Sequence, residues 1–377
     1  MLIFAAILAT FVYGMTSALF GTILPRLSER FQLTPRQNGL IAAAQGVGLM
    51  VASLSIGPLL DARGDKIGLL LGLAAIAIAL FALPRAGGFI SIALLLFLLG
   101  AGGGIVVTGA NALAGAAASE HRAIVLNIVN LFFGLGGFAT PFLSANFFRK
   151  NWTRLATSIA VLAVAVLAVE AFTPMPPPLA ASAVGAAHLS ALLAQPLLLL
   201  LGLYLFLYVA CEVGIWNWLP RHLIAQGVPE SRALNILSFG FALGLILGRV
   251  AVAPILIHGS PVKVILWAAV AMAVTTFFML RTNRPAVAAV LVFLAGVSMA
   301  PVFATTLAIV GSSFPQSTAT ATGFAVTCGW AGLALSSPLI GAIAGPDPKR
   351  LKQALLLLPA LALLMVGVNF AVQAAMR

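Results

Sequence analysis

Apolar runs of roughly twenty residues fill this chain, and short polar breaks separate them. A bilayer core about 30 Å thick needs about 20 residues of helix to cross it. The runs predict twelve spans, at approximately 2–25, 38–60, 67–84, 89–117, 123–147, 155–172, 196–218, 233–257, 264–280, 286–310, 319–344 and 351–373. Most breaks are so short that neighbouring helices must be antiparallel. The exception is 173–195, which begins Thr173-Pro-Met-Pro-Pro-Pro178. A proline cluster stops the sixth helix and makes a semi-rigid spacer. The pattern predicts an N-terminal six-helix bundle over 1–172, a Pro-rich linker over 173–195 and a C-terminal six-helix bundle over 196–377.

Composition agrees with an all-α membrane protein. The 377 residues are 62% hydrophobic and 7% charged, and mean hydropathy is +1.13. No soluble globular chain of this length has such a balance. The net charge of +12 would suggest nucleic acid in a soluble protein. Here the basic residues lie between apolar blocks, where they act as juxtamembrane anchors. Cys211 and Cys328 fall inside apolar segments, so no disulfide framework is implied. The chain enters apolar sequence without a basic leader region, so residues 2–25 are expected to be a retained first helix.

Polar residues inside the spans carry the chemistry. Residues 204–218 form a membrane-length helix with a carboxylate in its middle, Glu212. A charge at the bilayer centre costs about 2.5–3.5 kcal/mol on insertion scales, so it is expected to face a cavity or a partner. Tyr204, Tyr208, Glu212 and Trp216 recur every fourth residue and are expected to share one face. Two readings fit that stripe: a wet, substrate-facing surface, or a packing face with a protonated Glu212. Helix four carries Gly104, Thr108, Asn111 and Gly115 on one face. Helix five carries Asn127, Asn130, Gly134, Gly137 and Pro141. Small residues let two backbones approach, and the asparagines then serve either as interhelical glue or as ligand contacts. Helix ten contains Pro301, which is expected to break the helix beside a cavity. Helix eleven contains Thr322, Thr327 and Trp330. Trp330 lies deep in its span, either as packing or as a stacking surface. Residues 134–139 match Gly-x-Gly-x-x-Ala, but inside an apolar helix this is no dinucleotide fingerprint.

The connection between helices two and three reads Gly57-Pro58-Leu59-Leu60-Asp61-Ala62-Arg63-Gly64-Asp65-Lys66. It resembles the signature loop of the major facilitator superfamily, Gly-x-Leu-Ala-Asp-basic-x-Gly-basic-basic. Gly57, Leu59, Asp61, Gly64 and Lys66 match, and Arg63 adds a basic residue nearby. Ala62 and Asp65 replace basic positions, which implies a thinner ion-pair network. The matching loop of the second half, Pro254 to Lys263, is a degenerate echo. Arg249 precedes it, about 24 Å along its helix at 1.5 Å per residue, and is expected near a membrane face as a structural anchor. Within the superfamily the chain resembles the fucose:proton symporter branch and its glucose/galactose relatives. The stretches that carry this are Tyr208-Val-Ala-Cys-Glu212-Val-Gly-Ile-Trp216, Gly109-Ala-Asn111-Ala-Leu, Leu126-Asn127-Ile-Val-Asn130-Leu-Phe-Phe-Gly134-Leu-Gly136 and Ala300-Pro301-Val-Phe-Ala-Thr305-Thr-Leu.

The resemblance implies a twelve-helix carrier working by alternating access, with proton coupling and a hexose-like substrate. It also implies cytoplasmic termini, a bacterial inner-membrane location and a conformational role for Gly57, Asp61, Arg63, Gly64 and Lys66. The charge pattern opposes that orientation, because most of the twenty Lys and Arg residues would then sit outside. The chain departs from the branch in lacking an acid inside spans one to five apart from Asp61 at a helix end. Glu212 is therefore the expected proton-coupling residue. Asn111, Asn127, Asn130, Tyr208, Trp216, Asn217 and Trp330 are the expected substrate contacts.

A membrane-embedded enzyme is the competing class. The sequence has no His-Glu-x-x-His pair, no Gly-x-Ser-x-Gly elbow and no nucleotide loop. His121, His188, His222 and His258 are scattered through loops or the linker. No metal, cofactor or nucleic acid is expected. A monomeric carrier in the lipid bilayer, binding a small molecule and protons, remains. With Arg249 placed near a membrane face, an obligate anion is disfavoured; Glu212 with Tyr204, Tyr208, Trp216 and Trp330 would suit a neutral polyol, an organic cation or an amphipathic drug, and the resemblance favours the sugar. The alternative is a drug or metabolite efflux carrier of the same superfamily.

Overall fold

A computed structural model describes residues 2–56, 60, 64–117, 122–148, 151–175, 194–282, 284–314, 318–345 and 350–376. Twelve helices among them are long and apolar enough to cross a membrane, six before the Pro-rich stretch and six after it. They are α1 (Leu2–Phe31), α2 (Pro35–Ser55), α3 (Asp65–Ala82), α4 (Phe89–Ala117), α5 (Arg122–Asn146) and α6 (Trp152–Phe172), then α7 (Pro196–Ala225). Next comes α8, in three pieces: Glu230–Asn235, a π-helical stretch Ile236–Ala242, and Leu243–His258. Then follow α9 (Pro261–Arg281), α10 (Pro285–Met299 and Val302–Ser313), α11 (Thr318–Ala344) and α12 (Arg350–Leu355 and Leu357–Ala375). The Pro-rich linker lies mostly outside the described residues, at 176–193.

Local chemistry explains the ends. Thr34 caps α2: its hydroxyl accepts from the Gln37 N–H at 3.2 Å, and the Gln37 side chain accepts from the Thr34 N–H at 2.8 Å. With Pro35 at the first helical position, this is a complete capping box. Asn151 caps α6 through the Arg154 N–H. Gly64 takes φ +84° ahead of α3, a conformation open to glycine without penalty. Pro301 interrupts α10 as expected, because it lacks the N–H that would continue the ladder.

The helices α1 and α7 run further than the hydropathy pattern indicated, through Pro25 to Phe31 and through Pro220 to Ala225. Their last turns leave the apolar zone and carry Arg26, Glu29, Arg30, Arg221 and His222. Polarity ends a membrane span but does not end a helix. His222, expected in a loop, is therefore buried at the end of α7 against Gln226, 3.0 Å away.

Small residues set the packing. Within the first six spans, α1 packs on α5 and α2 on α4, with Gly14 against the Phe133 backbone and Gly48 against Phe97. Between the two sets of six, α2 packs on α11, α1 on α7 and α5 on α8. Polar contacts join the two sets on the face that carries the 32–34 and 226–229 connections, called here the first-loop face. Arg26 pairs with Glu230 at 2.6 Å. Arg221 donates to the Ser28 hydroxyl at 3.2 Å, and the Asn146 amide donates to Asn235 at 2.8 Å. Deeper in, Ser238 in the π-helical stretch donates to the Phe138 carbonyl at 3.1 Å. The molecule is latched on this face.

Candidate functional site

Behind that latch, at the depth of the mid-span residues, the two sets of six enclose a cavity. It offers about 70 Å³ to the centres of water-sized spheres, where one water needs about 10–15 Å³. Thr10, Tyr13 and Ser17 of α1 line it, at spacings that put all three on one helix face. Gln45 comes from α2, and Asn130 and Phe133 come from α5. The opposite wall is Glu212, Trp216 and Asn217 of α7, Arg249 of α8, Phe303 of α10 and Trp330 of α11.

Two anchors on one flank of Glu212 fix the rotation of α7. The Tyr204 hydroxyl donates to the Ile265 carbonyl of α9 at 2.6 Å, and the Cys211 thiol donates to the Leu358 carbonyl of α12 at 3.4 Å. With that flank committed to protein, the Glu212 face is left to the cavity. Trp216 is held by an edge-on contact with Phe241, centroids 5.1 Å apart. Asn217 donates to the Ser337 hydroxyl at 3.5 Å.

Arg249 is the main correction to the sequence reading. It does not sit near a membrane face. It lines the cavity with Glu212, close enough for its charge to act on that carboxylate. Its guanidinium also donates to the Asn130 carbonyl of α5, so it spans the two sets of helices. The depth count failed because α8 starts at Glu230, beyond the apolar zone. From the other end, at His258, Arg249 lies about 13 Å in, at 1.5 Å per residue.

The expected site residues divide. Glu212, Asn130, Trp216, Asn217 and Trp330 all line the cavity. Tyr208 is fully buried beside Glu212 but does not line it. Tyr204 points away, to α9. A spacing of four advances about 40° beyond a full turn, so three steps rotate Tyr204 about 120° from Trp216. The four residues are thus a slanting stripe rather than one face. Asn111 is no cavity contact: its amide donates to its own helix at the Val107 carbonyl, 2.7 Å away. The face of α4 that carries Gly104 packs on α2 at Leu49. The Asn127 side chain lies outside the described residues, as do Gly57, Asp61 and Arg63 of the loop. Of that loop, Gly64 makes the tight turn and the Lys66 ammonium donates to the Thr173 carbonyl at 3.0 Å. Lys66 thus joins the start of α3 to the end of α6.

Sequence reasoning missed Thr10, Tyr13, Ser17 and Gln45 as well as Arg249. A signal existed for the first three, since polar residues at positions 10, 13 and 17 share one face of an apolar helix.

Comparison with known proteins fits this geometry. The profile of the Major Facilitator Superfamily matches residues 6–337. No curated protein matches the chain. Among solved structures, the fold is similar to that of the nucleoside transporter NupG, at TM-score 0.80 and 13% identity over 100% of both chains. It is also similar to the E. coli fucose:proton symporter FucP, at TM-score 0.71 and 18% identity over 98% of both chains. The outward conformation of FucP gives the same values.

Proposed function

The chain belongs to the Major Facilitator Superfamily, and we propose that this transporter moves a small hydroxylated solute of the sugar type, coupled to protons at Glu212. The observation that carries the reading is the cavity itself: a carboxylate, indole rings and a guanidinium from α7, α8 and α11 converge at mid-span and face Thr10, Tyr13, Gln45 and Asn130 of the first set of six. Indoles stack on the apolar face of a sugar ring, and a carboxylate accepts from its hydroxyls. The similar folds include a fucose:proton symporter and a nucleoside transporter, whose cargoes both carry a hydroxylated ring. The expectation of a neutral cargo leaned on the absence of a buried cation, and Arg249 removes that ground.

In this reading 1–172 and 196–377 are two bundles that rock about the cavity, opening it to one side at a time. The linker 173–195 and the 57–66 loop lie on the cytoplasmic side with both termini, in a bacterial inner membrane, and the carrier works as a monomer. The latched first-loop face is then the outside, and this conformer presents its cavity inwards. A proton taken by Glu212 on one side and released on the other drives the cycle. Because proton and cargo share one cavity, each alters the affinity for the other.

Purified protein in liposomes tests this directly. Under an imposed inward proton gradient it should accumulate members of a panel of radiolabelled sugars, sugar derivatives and nucleosides, and a protonophore should abolish that. Extrusion of lipophilic dyes with no uptake of any panel member would favour the efflux reading instead.

A further inference from the structure

The buried polar atoms around the cavity are unbalanced in a way that bears on the cargo. Among the described residues, four that line the cavity carry a buried polar atom with no well-formed hydrogen bond: Thr10 Oγ1, Trp330 Nε1, Arg249 Nε and Trp216 Nε1, the last of which lies against the Glu212 carboxylate. The two indole nitrogens and the guanidinium nitrogen can only donate, and the threonine hydroxyl can do either. Trp216 is 4% exposed and Trp330 is 9% exposed. Buried donors without partners are costly, so such a wall is built for an occupant that accepts. Polyol hydroxyls accept, but each also brings a donor that needs its own acceptor. A carboxylate accepts through two oxygens and brings no donor.

Charge points the same way. Among the described residues, Glu212 and Arg249 are the charged residues of the cavity wall, and the guanidinium charge acts on the carboxylate. The other titratable groups that face Glu212 are Tyr13 of α1 and, on its own helix, Tyr208. α2, α5, α10 and α11 present only Gln45, Asn130 and apolar or indole groups there. If Glu212 takes a proton, the guanidinium loses its counter-ion inside an apolar shell. Arginine is suited to replace it with a planar, two-oxygen anion.

Resting on the sugar-carrier reading above, we propose that the cargo is a hydroxylated monocarboxylate of the sugar-acid type, whose carboxylate becomes the counter-ion of Arg249 as Glu212 takes up a proton. The charge balance closes. Before entry, the Glu212 carboxylate offsets Arg249. After entry, the cargo carboxylate offsets it and Glu212 is neutral. One anion and one proton cross together, with no net charge moved. The Trp216 and Trp330 N–H groups reach the acceptor end, and the hydroxylated end lies against the α1 side chains.

The test uses the purified full-length carrier with gluconate, galactonate and glucuronate, and with glucose and galactose as neutral counterparts. Binding is read from tryptophan fluorescence, and proton uptake from a dye in weakly buffered solution. At least one carboxylate should bind more tightly than its neutral counterpart and draw about one proton per molecule bound. Arg249→Gln should weaken that binding by about ten- to a hundredfold, the range of a charge-assisted contact. Arg249→Lys, which keeps the charge, should retain part of it. The Lys variant and the wild-type proton count decide the matter if the Gln variant does not fold. Tighter binding of the neutral hexoses, or carboxylate binding without proton uptake, would overturn this inference and leave the sugar-carrier reading standing. Binding of none of the five solutes at tens of millimolar would overturn this inference, and the wider panel of sugars, sugar derivatives and nucleosides then decides the sugar-carrier reading separately.

Discussion

Arg26, near the end of α1, and Glu230, at the start of α8, pair side by side across the two sets of six helices. Arg26 Nη2 lies 2.6 Å from Glu230 Oε2, and Arg26 Nε donates to Oε1 at 3.2 Å. The pair sits on the first-loop face, where the molecule is latched, and Glu29 also contacts Arg26 at 3.1 Å. Contacts made in one conformer and lost in the other set the balance between the two.

Removing the pair should therefore shift that balance. A partly exposed ion pair contributes about 1 kcal/mol at most, which corresponds to about a fivefold change in the population ratio. Glu230→Gln should lengthen the mean distance between spin labels at Arg36 and Gln226, on opposite sides of the latch. It should leave the thermal midpoint nearly unchanged. An unaltered distance distribution would mean that the pair plays no part in the latch.

Gly21 should act more strongly. A Cβ there would collide with the Trp216 carbonyl, where α1 crosses α7 beside the cavity. Overpacking of this kind costs about 1–3 kcal/mol. Because the crossing joins the two sets of helices, Gly21→Ala should push them apart and favour the conformer open on the first-loop face. Its transport rate should fall at least tenfold while the protein still purifies as a folded monomer. Wild-type transport in Gly21→Ala would show that α1 and α7 do not need to approach so closely.

What the sequence made legible follows from how each feature is encoded. The spans were readable because lipid demands an apolar run, and the break at Pro301 because a proline acts locally. Glu212, Asn130, Trp216, Asn217 and Trp330, which line the cavity, stood out in the sequence because polar or aromatic groups at membrane depth are rare. Tyr204 and Asn111 misled because a single helix does not reveal which carbonyl will take its donor: Ile265 across a helix gap, Val107 on the same helix. Arg249 was misplaced because depth was counted along a helix whose first turns project past the membrane core. Its partner carbonyl on Asn130 is 119 residues away in sequence.

The contrast between Tyr204 and Trp330 separates packing from recognition. Tyr204→Phe loses the hydroxyl bond to the Ile265 carbonyl and should cost about 1–2 kcal/mol of stability, with KM unchanged. Trp330→Ala should raise KM at least tenfold by removing a stacking surface from the cavity wall. Thermal unfolding and transport kinetics on the two variants check this. Equal KM for Trp330→Ala and wild type would make Trp330 core alone.

Orientation has its own test. With the 57–66 loop inside, a cysteine placed at Ala62 should resist a membrane-impermeant thiol reagent in intact cells and react in inverted vesicles. Labelling from outside would reverse the assignment and agree with the placement of most basic residues.

The central claim is that Glu212 carries the proton that drives accumulation. Glu212→Gln keeps the shape and the hydrogen bonding but cannot titrate. In liposomes, it should retain exchange of labelled for unlabelled cargo across the membrane and lose accumulation under an imposed proton gradient. A Gln variant that still concentrates its cargo when the gradient is applied would contradict the account.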